Sequence, residues 1–194
     1  MLKSIAAFIA RCLSLASVLM LSGCATLVAV SIADADLEFE MQGRAALRYG
    51  AEGGSTRITW RHSGSADDLL ITTSLGQGVA RIARQDGKVL LVTADAKEYS
   101  AADAETLTES VLGWRLPLAG LPEWVRGRAA AGRPARTRND ESGRIASIEQ
   151  DAWRVTYTAW EGDLPSRLTL NHDGVGGNAD VEIRLIIDQW KVGP

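Results

Sequence analysis

The feature that most limits what this chain can fold into is an alternation of apolar and polar residues with a period of two. It restarts again and again after short breaks. Phe39, Met41, Gly43, Ala45, Leu47 and Tyr49 alternate with Glu40, Gln42, Arg44, Ala46 and Arg48. Successive side chains of a strand point to opposite faces, so this pattern predicts a strand with one face buried. Gly53-Gly54 reads as a turn, after which Ile58 and Trp60 alternate with Arg57, Thr59 and Arg61 as far as Ser63-Gly64-Ser65. A third strand is predicted over 68–73, and Ser74-Leu75-Gly76-Gln77-Gly78 joins it to a fourth over 79–84. Asp86-Gly87 is a strong hairpin signal before a fifth strand over 88–93. The first half of the chain is therefore an antiparallel meander.

The period changes after Tyr99. Ser100 can cap a helix in which Ala104, Leu107 and Val111 share a face, with Asp103 and Glu105 in the favourable first turn and Gly113 as the stop. Residues 114–125 are apolar and broken by Pro117 and Pro122, which predicts a loop and a short helix lying across an apolar surface. From Ala135 the strand pattern returns. Ile145 and Ile148 lead to Asp151, and Trp153, Val155, Tyr157 and Ala159 alternate with polar neighbours. Pro165 opens a strand to Leu170, His172-Asp173-Gly174 turns, and Val181, Ile183, Leu185 and Ile187 form the last alternating run. About nine to eleven strands and two or three helices are expected, a mainly β or α+β layout with the helices inserted mid-chain.

The N-terminus carries a different signal. Lys3 and Arg11 give a positive, acid-free start, 13–21 is a short apolar run, and Leu21-Ser22-Gly23-Cys24 closes it with small residues before a cysteine. The run is too short to cross a bilayer, which takes roughly 20 apolar residues. It resembles the lipobox of bacterial lipoproteins, which implies cleavage before Cys24 and acylation of that residue. Ala25 stands where an aspartate would imply inner-membrane retention, so the outer membrane is expected. The other reading is an ordinary secretory signal with a cysteine near the cut by chance. The expected organisation is a signal peptide over 1–23, a lipidated tether over 24–36 and a folded domain over 37–194.

Charge and cysteine content narrow the function. The whole chain has 21 Lys and Arg against 24 Asp and Glu, and removing 1–23 takes away Lys3 and Arg11, so 19 − 24 leaves −5. There is no polybasic patch for nucleic acid. Cys12 leaves with the signal and Cys24 is acylated, so no thiol remains for a disulfide or a metal, and the fold rests on its core. Neither a phosphate-binding G-x-x-x-x-G-K-[ST] loop nor a G-x-S-x-G elbow is present. No catalytic residue, metal ligand or cofactor is assigned. His62 at a strand end and His172 in a turn are expected to be solvated.

Residues spread along the whole mature chain resemble one family. In order they are Gly43-Arg44, Trp60, Ser74-Leu75-Gly76, Gly113, Leu116-Pro117-Leu118, Trp124-Val125-Arg126-Gly127, Gln150-Asp151-Ala152-Trp153, Leu164-Pro165 and Trp190. This order and spacing is similar to that of the LolB family, outer-membrane lipoprotein receptors of the lipoprotein localisation pathway. The resemblance implies a LolA/LolB-like fold: an unclosed antiparallel β half-barrel with helices covering a hydrophobic cavity. It further implies a monomer that accepts acylated lipoproteins from the periplasmic carrier LolA, inserts them into the outer membrane, and makes or breaks no chemical bond.

For the sites, the resemblance implies Cys24 as the lipid attachment point and Ser74, Leu75 and Gly76 as a membrane-insertion loop. The acyl-chain cavity is expected to be lined by Trp60, Leu116, Leu118, Leu121, Trp124, Trp153, Tyr157, Ile183 and Leu185. Two positions depart from the family pattern. Ser74 replaces a proline, so the loop is expected to be less rigid. Ala152 replaces a glycine, which argues against a turn there that needs positive φ. Two other classes of function fit the residues alone: a scaffold lipoprotein that binds protein or peptidoglycan, and an enzyme acting on envelope lipids.

Overall fold

The structure, a computed structural model, describes residues 32–174 and 180–193. The signal segment, the lipobox with Cys24 and residues 25–31 lie outside the described residues. Eleven strands form one antiparallel sheet in the order β6-β5-β4-β3-β2-β1-β11-β10-β9-β8-β7. The first half comprises β1 (Phe39–Tyr49), β2 (Glu52–His62), β3 (Ala66–Thr72), β4 (Gly78–Gln85), β5 (Lys88–Thr93) and β6 (Glu98–Ala101). The second half comprises β7 (Ala135–Asn139), β8 (Ile145–Gln150), β9 (Trp153–Glu161), β10 (Leu164–His172) and β11 (Val181–Val192).

The order explains the shape. Two meanders run outward from a central pair in which β1 meets β11, and their outer strands, β6 and β7, are the two free edges. The chain passes between those edges through α1 (Ala104–Leu112) and α2 (Leu121–Val125). Because β6 and β7 do not pair, the barrel stays open and the helical segment covers the inward face. That is the expected unclosed, mainly β fold.

Strand register builds the inward face as continuous stripes. Met41 lies opposite Trp60, Trp60 opposite Leu69, Leu69 opposite Ile82 and Ile82 opposite Leu91. On the other half Ile183 faces Leu170, Leu170 faces Val155, and Val155 faces Ile148. All of these side chains are buried in one core. At roughly 25 cal/mol per Å² of apolar surface removed from water, such stripes are the main stabilising term.

A bulge interrupts the central seam at Gly43. The β1/β11 register shifts between Gln42 and Gly43, leaving Asp188 unpaired on β11, and bulges bend and twist the strand that carries them. A Cβ on Gly43 would lie 2.3 Å from the carbonyl oxygen of Ile186, so only glycine lets the two strands approach there.

Several local expectations are corrected. The β1–β2 turn lies at Gly50 and Ala51, whereas Gly53 and Gly54 are inside β2. Ser100 belongs to β6; the cap of α1 is Asp103, whose carboxylate accepts the Thr106 N–H at 2.7 Å, and Gly113 closes the helix at φ +82°. Asp151 and Ala152 both take positive φ, +53° and +63°, in the two-residue turn between β8 and β9, so the turn forms without its glycine. Ile32 and Leu37 are buried with Ala66, while residues 33–36 between them are exposed. His62 is 5% exposed, because its ring is enclosed by Phe39, Trp60 and Asp67.

Two substitutions test this account by chemical denaturation. Gly43→Ala forces β1 away from β11 and is expected to cost about 2–3 kcal/mol. Ala152→Gly relieves a left-handed alanine and is expected to stabilise by up to about 1 kcal/mol.

Candidate functional site

Between the sheet and the helical segment lies an apolar cavity of about 180 Å³. Its sheet wall takes Ala45 and Leu47 from β1, Ile58 and Trp60 from β2, and Leu69 and Ile71 from β3. Ile183 and Leu185 of β11 close the far side, and Leu112, Trp114, Leu116 and Leu121 form the roof. Among the described residues no charged side chain lines it, and Thr56 is the one hydroxyl in the wall. The space exists because small residues occupy inward positions: Ala45 stands opposite Thr56 across β1 and β2, and Ala80 contributes from β4. Larger side chains there would fill the space as core.

The cavity opens toward the β3–β4 loop. Ile71, Leu112 and Trp114 are half-buried at its rim, and Val79 is exposed. Between Ile71 and Val79 the chain makes a tight turn that carries Leu75 at its tip, 87% exposed. The Gly76 N–H donates to the Thr73 carbonyl at 2.9 Å and the Thr73 N–H to the Gln77 carbonyl at 2.8 Å. The Thr73 hydroxyl accepts the Gln77 N–H at 3.2 Å, and Gly76 takes φ +85°. These bonds close the turn although Ser74 stands where a proline was expected.

Of the nine residues expected at the cavity, the structure places Trp60, Leu116, Leu121, Ile183 and Leu185 on its wall. The other four lie elsewhere. Trp124 is fully buried under α2, where its indole N–H donates to Gln150 Oε1 at 2.8 Å. Trp153 packs against Trp124 with ring centroids 6.5 Å apart. The Tyr157 hydroxyl donates to the Trp124 carbonyl at 2.7 Å, and burial pushes its pKa up, which keeps it a neutral donor. Leu118 faces a polar cleft beside Arg126. Trp124 of α2 thus packs with Trp153 and Tyr157 as core, and Leu118 lies outside the cavity.

The roof has two unlike halves. In 103–116 every side-chain hydrogen bond found among the described residues closes within the segment: Asp103 to Thr106, Thr108 to Ala104 and Leu116, Arg115 to Glu109. The α2 half is tied to the sheet. Gln150 holds Trp124 and both the N–H and carbonyl of Ala130, Tyr157 holds the Trp124 carbonyl, and Arg126 pairs with Glu38 at 2.9 Å. Gln150 was missed by sequence reasoning, since a glutamine beside Asp151 at a strand end reads as surface.

A sequence model of the family described as "Outer membrane lipoprotein LolB" matches residues 37–190. The chain belongs to the LolB family. It is 37% identical to the outer-membrane lipoprotein LolB of Thiobacillus denitrificans over 182 residues, covering 90% of this chain and 93% of that protein. It is 34% identical to the outer-membrane lipoprotein LolB of Dechloromonas aromatica over 190 residues, covering 93% and 96%. Among solved structures, a LolA superfamily protein from Nitrosomonas europaea aligns over 81% of this chain and 87% of that one, with a TM-score of 0.46 and 9% identity. The matched span of the LolB family includes every wall residue named above.

Filling the void is the direct test of the cavity. Ala45→Phe should place a ring in the empty space, leave the melting temperature close to that of the native protein and lower affinity for a fluorescent fatty acid about tenfold or more. Unchanged affinity in a folded variant would place acyl binding elsewhere.

Proposed function

We propose that this chain is the outer-membrane receptor that takes acylated lipoproteins from the carrier LolA and delivers them to the bilayer, acting as a monomer anchored through acylated Cys24. The observation that carries the reading is the uncharged apolar cavity with Leu75 exposed beside its mouth. An acyl chain gains about 0.8 kcal/mol per buried methylene, so the three chains of a cargo represent tens of kcal/mol against water. They must travel from one apolar enclosure to the next. With no nucleotide site to drive it, transfer runs downhill in affinity from carrier to receptor to membrane.

The closed cavity is too small for that load. About 180 Å³ is close to the roughly 150 Å³ of a cavity that holds one benzene-sized ligand, so the roof must lift when acyl chains enter. The 104–116 half is the part assigned to move, because its side-chain hydrogen bonds among the described residues close within the segment and apolar packing holds it to β5 and β6. Release is assigned to the loop of Ser74, Leu75 and Gly76. A buried leucine is worth about 1.5–3 kcal/mol, too little to anchor a domain but enough to bias a tethered loop into the bilayer. From Cys24 to Ile32, eight residues span at most about 28 Å, which keeps the domain close to the membrane.

The deciding experiment is transfer of a labelled lipoprotein from its carrier to liposomes with and without this protein. A rate that does not depend on the protein would remove the reading. Leu75→Glu should leave folding and acceptance from the carrier intact and impair delivery, and delivery at the native rate would reassign the loop. Cys24→Ala should give a soluble protein that still folds and still accepts cargo, because the lipid lies outside the folded domain.

A further inference from the structure

We propose that a buried network centred on Asp67 positions two walls of the cavity against each other, holding Trp60 and α2 at a set separation and thereby setting which acyl chains fit. The proposal rests on the lipid-binding reading above. Asp67 opens β3 with no exposed surface. Its Oδ1 accepts the Trp60 indole N–H at 2.9 Å and the His62 Nδ1–H at 2.6 Å, and its Oδ2 accepts the Arg84 Nε–H at 2.5 Å. Trp60 is cavity wall.

From His62 the contacts continue to the roof. The other ring nitrogen of His62 faces the Glu38 carboxylate at 3.9 Å. That carboxylate accepts Arg126 Nη1–H at 2.9 Å, while Arg126 Nε–H donates to the Pro122 carbonyl at 2.9 Å and its other terminal nitrogen pairs with Glu123. Pro122 and Glu123 lie in α2 beside Leu121, a roof residue. Phe39 closes the loop. Its ring meets Trp60 edge-on at 5.0 Å and lies under the Arg126 guanidinium at 5.3 Å. The Phe39 ring thus joins one cavity wall to the other directly, while the polar route crosses from His62 to Glu38 by a charge contact longer than a hydrogen bond.

Such a network is a costly way to fill space. A carboxylate without solvent must be compensated by strong donors, and well-packed apolar residues often serve stability as well or better. What directional bonds add is orientation. A charge-assisted hydrogen bond fixes length and angle, whereas an apolar contact lets a ring slide. Here the fixed groups are a tryptophan of the floor and the anchored half of the roof, and the 104–116 half has no such ties.

The test uses the full acylated chain in liposomes and a series of photoactivatable fatty acids of increasing length, with labelling yield read against length. Glu38→Gln sits at the exposed end of the network and should fold with an unchanged melting temperature. It should lower the labelling affinity about three- to tenfold and broaden the length profile, since the two walls are no longer held at one distance. Asp67→Asn keeps an acceptor for Trp60 but loses the charge, and should broaden the profile in the same way. In a double-mutant cycle the Glu38→Gln and Asp67→Asn effects should be non-additive, because they break one network. A merely structural network would change stability without moving the length profile. A native profile in folded Glu38→Gln would overturn the proposal, whether or not Asp67→Asn folds. Failure of the native chain to label with any length would overturn the lipid-binding reading, and this proposal with it.

Discussion

The pairing of β1 with β11 is the interaction on which the rest of the structure depends. It joins residues near the two ends of the domain, Phe39 beside Val192 and Tyr49 beside Val181, so neither meander has its centre until the other half is made. Long-range pairing of this kind is costly in chain entropy and is offset only when both faces of the seam are filled. The bulge at Gly43 sits in the seam and bends it. With the sheet curved about that seam, the edges β6 and β7 come to opposite sides of a trough, and the segment between them in sequence has one place to lie, across it.

That geometry sets up a competition between core and cavity. Most inward residues of the sheet are apolar enough to be core, and over β8 to β10 they are, because Trp124 of α2 comes down on Trp153 and Tyr157. Over β1 to β4 the roof is held off by its own turn at Gly113 and small residues face it. Empty space of about 180 Å³ at ~24 cal/mol per Å³ forgoes roughly 4 kcal/mol of packing. The anchored half of the roof, with its buried hydrogen bonds to Gln150 and Tyr157, lets the domain carry that deficit on the other side.

This division explains what the sequence could and could not reveal. Strand positions, the inward face, the unclosed β class and the stop at Gly113 follow from local pattern and turn chemistry, and most were legible. The side of α2 on which a void would lie was not, because Trp60 and Trp153 carry the same local signal and differ only in what is opposite them. Positive φ at Ala152 was also hidden, since tertiary pairing of β8 with β9 overrides the preference of one alanine. His62 reads as a solvated strand end, and Asp67 falls outside the predicted third strand. Their burial depends on Arg84, Glu38 and Arg126 arriving from three other parts of the chain.

Under the receptor function proposed above, the placement of the exposed loop relative to the cavity bears on how one small domain would both hold and give up a greasy cargo. Ile71 and Val79 are cavity residues, and the chain between them is the turn that carries Leu75. An acyl chain sliding from the wall onto this loop moves from one apolar contact to the next, and exposes only a few methylenes to water at any moment, each at about 0.8 kcal/mol. Had the loop stood at the far end of the sheet, beside Asp67 and Arg126, the same chain would have had to pass a charged cleft bare. The barrier to transfer is therefore governed by the short separation of mouth and loop along β3 and β4, more than by the depth of the cavity itself.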